Sequence, residues 1–262
     1  WAEESVRRVT SVFEYPNALG LFLGPLIPLF ASQMSKDRRI FSFFYWSLVI
    51  FISLLAIIWA HSLGALVGVS VGLIFLFSVS LFKHWNRIRR FSFTFYLLPF
   101  TFYIFLVLAT LFVFKNTAFR DELLMRDWSG QVRKTIWSET GQMLKNRPIF
   151  GAGLAGYQTA IEPYHRAKYL EIFLYPHTLV LNFWSEMGIA GLGAFFWILV
   201  VFFRAARKTF LSEEWEGSAL AAGALAAMIA LLVHGLVDVP YFKNDLAVLF
   251  WILCALGMFE KK

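Results

Sequence analysis

Cysteine and charge are both scarce in this chain of 262 residues. The single cysteine, Cys254, lies inside an apolar run, so neither an intramolecular disulfide nor a cysteine-based metal centre can form. Charged residues make up 16% of the chain and apolar ones 59%. Soluble domains carry about 25% charged and about 45–50% apolar residues, so a soluble domain is all but excluded. Disorder, which needs low hydrophobicity, goes with it. No His-Glu-x-x-His zinc motif occurs. Trp1 to Tyr15 show none of the parts of a signal peptide. A chain that opens on Trp1 rather than Met is expected to be the C-terminal portion of a longer protein.

What fills the space is aromatic and aliphatic. Phe, Trp and Tyr reach 19% of the residues, on a formal charge of +7. A membrane helix needs about 20 mostly apolar residues, and seven stretches qualify: 17–34, 40–60, 63–82, 92–114, 178–203, 218–236 and 245–259. Pro25 and Pro28 interrupt the first, which predicts a kinked or partly re-entrant helix. The fifth is long and holds Glu186 and Gly188, which predicts a short interfacial helix followed by a span. The expected fold is all-α, a polytopic transmembrane bundle of about seven spans in one domain over residues 1–262.

Basic residues orient these spans. Lys36, Arg38 and Arg39, then Lys83, Arg87, Arg89 and Arg90, then Arg204, Arg207 and Lys208, and finally Lys261 and Lys262, alternate with the basic-poor turns 61–62 and 237–244. The positive-inside rule puts the basic set, and the C-terminus, in the cytoplasm. The stretch 115–176 is too long for that rule and falls on the outer side. It carries nine basic and six acidic residues, and its patterning predicts amphipathic helices. Within it, residues 131–145 place Val132, Ile136, Met143 and Leu144 on one stripe, and Arg133 and Trp137 stand one turn apart beside it.

The chemistry-bearing residues gather at that same outer face. Gly151-Ala-Gly153-Leu-Ala-Gly156 has the letters of a dinucleotide fingerprint but lacks the preceding strand; it reads as a tight turn packed on the membrane domain. His177 follows Pro176 at a helix start, where a neutral imidazole suits a general base. Glu186, inside the fifth segment, requires a partner such as an arginine. His234 and Asp238 share a helix face and read as a hydrogen-bonded pair bracing an outer cavity; two ligands are too few for a metal. With Arg8, Arg133, Arg147 and Lys243 they make a basic outer site suited to phosphate or pyrophosphate, which arginine grips bidentately.

At these residues the chain resembles the O-antigen ligase-like family of bacterial membrane glycosyltransferases, which includes O-antigen polymerases. The resemblance runs through Arg8-Val-Thr-Ser-Val-Phe13 with Pro16-Asn17-Ala-Leu-Gly20, and Arg133-Lys-Thr-Ile-Trp137 with Pro148-Ile-Phe-Gly151-Ala-Gly153 and Tyr157. It continues in Pro176-His177, Trp184-Ser-Glu186-Met-Gly188-Ile-Ala-Gly191 and His234-Gly-Leu-Val-Asp238. It implies transfer of a glycan from an undecaprenyl-pyrophosphate donor to a glycan, lipid or protein acceptor, at the outer face of the bacterial inner membrane. Neither metal nor cofactor is implied, and no nucleic acid is an expected partner. His177 would activate the acceptor hydroxyl, and Arg8 and Arg133 would hold the pyrophosphate. Arg147, His234, Asp238 and Lys243 would line the substrate site. Two departures stand out: Ser62-Leu63-Gly64 where the family commonly has Ser-Arg-Gly, and Thr178 where many members have Asn. A polymerase is the alternative reading. A polysaccharide or lipid transporter, a different class, would favour midplane charges and internal repeats, and neither is evident.

Overall fold

The computed structural model describes residues 8–36, 40–88, 117–211, 215–242 and 244–258. Lys243, the fourth expected span (92–114) and several of the orienting basic residues lie outside the described residues. The helices are α1 (Pro16–Lys36), α2 (Ile40–Trp59), α3 (Leu63–Ile88), α4 (Thr117–Leu123), α5 (Trp128–Asn146), α6 (Tyr157–Ile161), α7 (Leu179–Leu211), α8 (Trp215–His234) and α9 (Asn244–Met258). There is no strand among the described residues. The chain is an all-helical, polytopic membrane protein. Four helices, α1, α2, α3 and α7, are long and apolar enough to cross a bilayer; α8 and α9 contain shorter apolar stretches.

The alanine-rich helix α8 is the axis of the bundle. It packs against α1, α3, α7 and α9, and Ala221, Ala224, Ala226, Ala227 and Met228 are fully buried. Small residues make that closeness possible, as expected where lipid provides no hydrophobic drive between helices. Gly64, Gly68 and Gly72 recur every four residues along α3. A methyl group added at them would strike the His234 ring, the Ala230 carbonyl and the Ala226 carbonyl respectively. By contrast α2 turns Phe41, Phe44, Tyr45, Leu48 and Phe51 outward, the surface a lipid-facing helix presents.

Two expectations concern helix breaks. α1 is one helix from Pro16 to Lys36 with Pro25 and Pro28 inside it. Membrane helices tolerate internal proline where neighbours compensate the lost bond, and Pro28 packs beside Gly72 of α3. α7 is broken, as its sequence predicts, at Gly188 (φ 69°, ψ −176°). The 23 residues after the break rise about 34 Å, enough on their own for a hydrocarbon core of about 30 Å.

The break fixes the glycine-rich turn. Ala152 and Gly153 donate backbone N–H bonds to the Ser185 carbonyl (2.7 and 3.2 Å), and Ile189 N–H donates to Ile149 O (3.0 Å). Trp184 Nε1 donates to Pro148 O at 2.7 Å. Glu186 accepts from the Ala155 amide at 2.5 Å, so its partner is a backbone N–H of this turn and not the arginine expected. The segment 117–178 also has its own small core, with Met143, Leu144, Tyr157, Ala160 and Ile161 packed together. Buried Glu139 ties it down by accepting from the Arg166 and Ala167 amides (2.8 and 3.1 Å) and pairing with His165 at 3.0 Å.

Candidate active site

The ends of α1, α3, α4, α5 and α8, with the turn 61–62 that follows α2, converge on a cavity of about 390 Å³. Its lining includes Arg8, Asn17, His61, Glu122, Asp127, Ser129, Arg133 and His234. Arg8 is held there by the end of α2. The last carbonyls of a helix lack intrahelical donors, and His61 ends the helix in a left-handed conformation (φ 47°). Arg8 Nε donates to Ala60 O at 2.9 Å and Nη2 to His61 O at 3.1 Å, while Val9 N–H takes Trp59 O. A guanidinium at a helix C-terminus also meets the negative end of its dipole.

Arg133 enters the cavity from α5. Asp127 caps α5, its carboxylate accepting from the Ser129 and Gly130 amides, and so sets the first turn. From the second turn Arg133 reaches out, donating through Nε to Val237 O at 3.0 Å and through Nη1 to Ser129 Oγ at 2.6 Å. Both arginines are thus oriented by fixed oxygen acceptors before any ligand arrives. Glu122 shares the cavity. Burial pushes its carboxyl up and nearby Asp127 adds to this, against the opposing pull of Arg8 and Arg133.

A polar chain leads from this cavity to His177. Arg8 Nη2 donates to Asn17 Oδ1 at 2.9 Å, and Asn17 Nδ2 donates to Asp238 Oδ2 at 3.2 Å. Asp238 Oδ1 then stands 3.8 Å from His177 Nδ1, an ion-pair distance rather than a hydrogen bond. Burial alone would raise the Asp238 carboxyl. His177, His234 and the Val239 amide outweigh it and hold the group down to about 2, so Asp238 is ionised at neutral pH. The His177 ring sits edge-on to Phe173 (5.3 Å) and Tyr175 (4.8 Å), and the Tyr175 hydroxyl donates to that of Tyr15. Burial, with Asp238 and Glu14, pushes the Tyr175 phenol well above its ordinary range.

The geometry therefore gathers Arg8, Arg133 and His234 around one cavity and links Arg8 to Asp238 and His177. His177 is not part of the cavity lining. His234 and Asp238 are both buried but are not the hydrogen-bonded pair their spacing suggests: Asp238 is engaged by Asn17 and its own Val239 amide, and His234 Nδ1 has no partner. A helical i, i+4 spacing brings side chains near, but the helix ends at His234, and the turn re-aims Asp238. Arg147 is exposed at the far end of α5, about 21 Å along the helix from Arg133. Lys243 lies outside the described residues. Among the described residues no three His, Cys, Asp or Glu side chains converge as metal ligands. Asn17, the bridge between cation and carboxylate, stands in the Pro16-Asn17 block of the sequence without a role of its own there. Its signal is a polar side chain opening an otherwise apolar helix.

This is a membrane-embedded helical protein with a preoriented pair of arginines, a buried carboxylate and a histidine at one end of its bundle. The O-antigen ligase family profile matches residues 48–196, more than half of the chain, and the chain belongs to that family. It is accordingly a membrane glycosyltransferase of the O-antigen ligase and polymerase type. The matched stretch carries Arg133, Arg147 and His177; Arg8, Asn17, His234 and Asp238 lie outside it. No curated protein matches the chain.

Proposed function

We propose that the protein transfers a glycan from an undecaprenyl-pyrophosphate donor to an acceptor hydroxyl, as an O-antigen ligase, at the outer face of the bacterial inner membrane with its C-terminus in the cytoplasm. Arg8 and Arg133 grip the pyrophosphate in the cavity, and His177 is the base for the acceptor. The acceptor oxygen bonds to the anomeric carbon as the bond from that carbon to the pyrophosphate oxygen breaks. The hydroxyl proton passes to His177, and the electron pair leaves with undecaprenyl pyrophosphate. The two arginines meet the charge that develops on the leaving group, the preorganised electrostatic stabilisation from which enzymes draw most strongly. Asp238 stabilises the imidazolium that forms on His177. His234 lines the donor side of the cavity.

One observation carries this reading: the connected path from Arg8 through Asn17 and Asp238 to His177, which joins a pyrophosphate-binding cation to a candidate base. The test is transfer in proteoliposomes containing a defined lipid-linked glycan and candidate acceptors. His177→Ala is expected to abolish turnover while donor binding persists. Unchanged turnover removes His177 as the base. Product analysis separates the two activities, since a ligase loads a chemically distinct acceptor whereas a polymerase lengthens the lipid-linked glycan.

A further inference from the structure

His177 has a backbone that its residue type disfavours. Its φ is 48°, in the left-handed region that non-glycine residues seldom enter and that persists only where the surroundings impose it. The residue lies between two anchored points. On its C-terminal side, Leu179 N–H donates to Gly235 O at 2.8 Å. On its N-terminal side, the carbonyl of Pro176, the oxygen of the peptide that enters His177, accepts from Trp137 Nε1 at 2.9 Å. Trp137 stands one helical turn after Arg133 on α5, so one face of one helix reaches both the Val237 carbonyl, through Arg133, and the Pro176 carbonyl, through Trp137. The turn that carries His177 and the turn that carries Asp238 are thereby held to the same rigid element.

We infer that Trp137 is a positioning residue: its indole N–H holds the Pro176–His177 peptide in the conformation that aims His177 at the acceptor and keeps its Nδ1 beside Asp238. The inference rests on His177 being the base. Trp137 touches no reacting atom; it acts through the peptide plane alone. Near-attack geometry is unforgiving, and a displacement of about 1 Å costs about a hundredfold in rate. Loss of this one hydrogen bond therefore lowers kcat and leaves the donor cavity, lined by Arg133 and Arg8 with no contribution from Trp137, unaltered.

The experiment measures steady-state transfer in proteoliposomes for Trp137→Phe and for a variant with benzothienylalanine at position 137. The second keeps the indole's shape and replaces only its N–H by sulfur, so it reports even if the phenylalanine variant folds poorly. The expected result is a fall in kcat of about tenfold or more, with donor KM within about twofold of wild type and an unchanged thermal midpoint for the isostere. A wild-type kcat in the isostere, or a rise in donor KM with kcat preserved, overturns the positioning role. His177→Ala, run alongside, separates the two failures. If it transfers normally, the base assignment falls and this inference with it. If it is inactive while both Trp137 variants work normally, this inference alone falls.

Discussion

Asp238→Asn tests the electrostatic core of the site with a near-isosteric change. Asp238 is 3% exposed and ionised, with His177 Nδ1 at 3.8 Å. A unit charge pair at that separation, in an effective dielectric of about 20, is worth about 4 kcal/mol. In the proposed step a positive charge develops on His177 as it takes the acceptor proton, so the attraction favours the transition state over the ground state and appears in kcat. At about 1.4 kcal/mol per decade, losing it lowers kcat about a thousandfold. Donor KM moves little, because Arg8 keeps the Ala60 and His61 carbonyls even if Asn17 reorients. Initial-rate measurements in proteoliposomes across donor and acceptor concentrations separate the two parameters. A kcat within threefold of wild type shows that Asp238 does not stabilise a charged His177, and the path from cation to base then has no catalytic meaning.

Other outcomes follow from the same geometry. Arg133→Lys keeps the charge but loses the fork that serves Val237 O and Ser129 Oγ at once; donor affinity is expected to fall about tenfold, measured by binding of a lipid-pyrophosphate analogue. Gly188→Ala places a methyl group on the Ile149 carbonyl oxygen at a φ of 69°. A loss of about 3 kcal/mol is expected, read as a lowered midpoint in detergent unfolding. Burial costs Glu139 less than it gains from His165 and the Arg166 and Ala167 amides, so its carboxyl is held below the ordinary glutamate range. Its contribution is therefore complete above that range and is lost as pH falls through the lowered value. Hydrogen exchange in residues 162–170 should accelerate over that acid range in wild type and be fast at neutral pH in Glu139→Gln.

Hydropathy marked the long helices because bilayer thickness imposes their length directly, and Gly188 marked the break in α7 because few other residues take that backbone conformation. The prolines of α1 are legible as possible interruptions, but the helix continues through both, because what a helix with internal proline packs against is set by a neighbour that no local pattern records. The same limit governs the site. Arg8 and Arg133 could be grouped by charge and side, yet the acceptors that orient them are the Ala60, His61 and Val237 carbonyls, and backbone oxygens have no letter in the sequence. Asp238 and His234 show the reverse case. Their spacing is legible, but the helix ends between them, and the turn gives Asp238 to Asn17 across a separation of 221 residues.

The seam between the glycine-rich turn and the broken α7 is a rigid joint. Five hydrogen bonds cross it, from Ala152, Gly153, Ile189, Trp184 and Ala155. At about 1 kcal/mol net apiece, parting them all costs about 5 kcal/mol, so the seam is open on the order of once in several thousand looks. Residues 148–155 and the break at Gly188 therefore move as one body, and that side of the bundle keeps its shape whatever enters beside it.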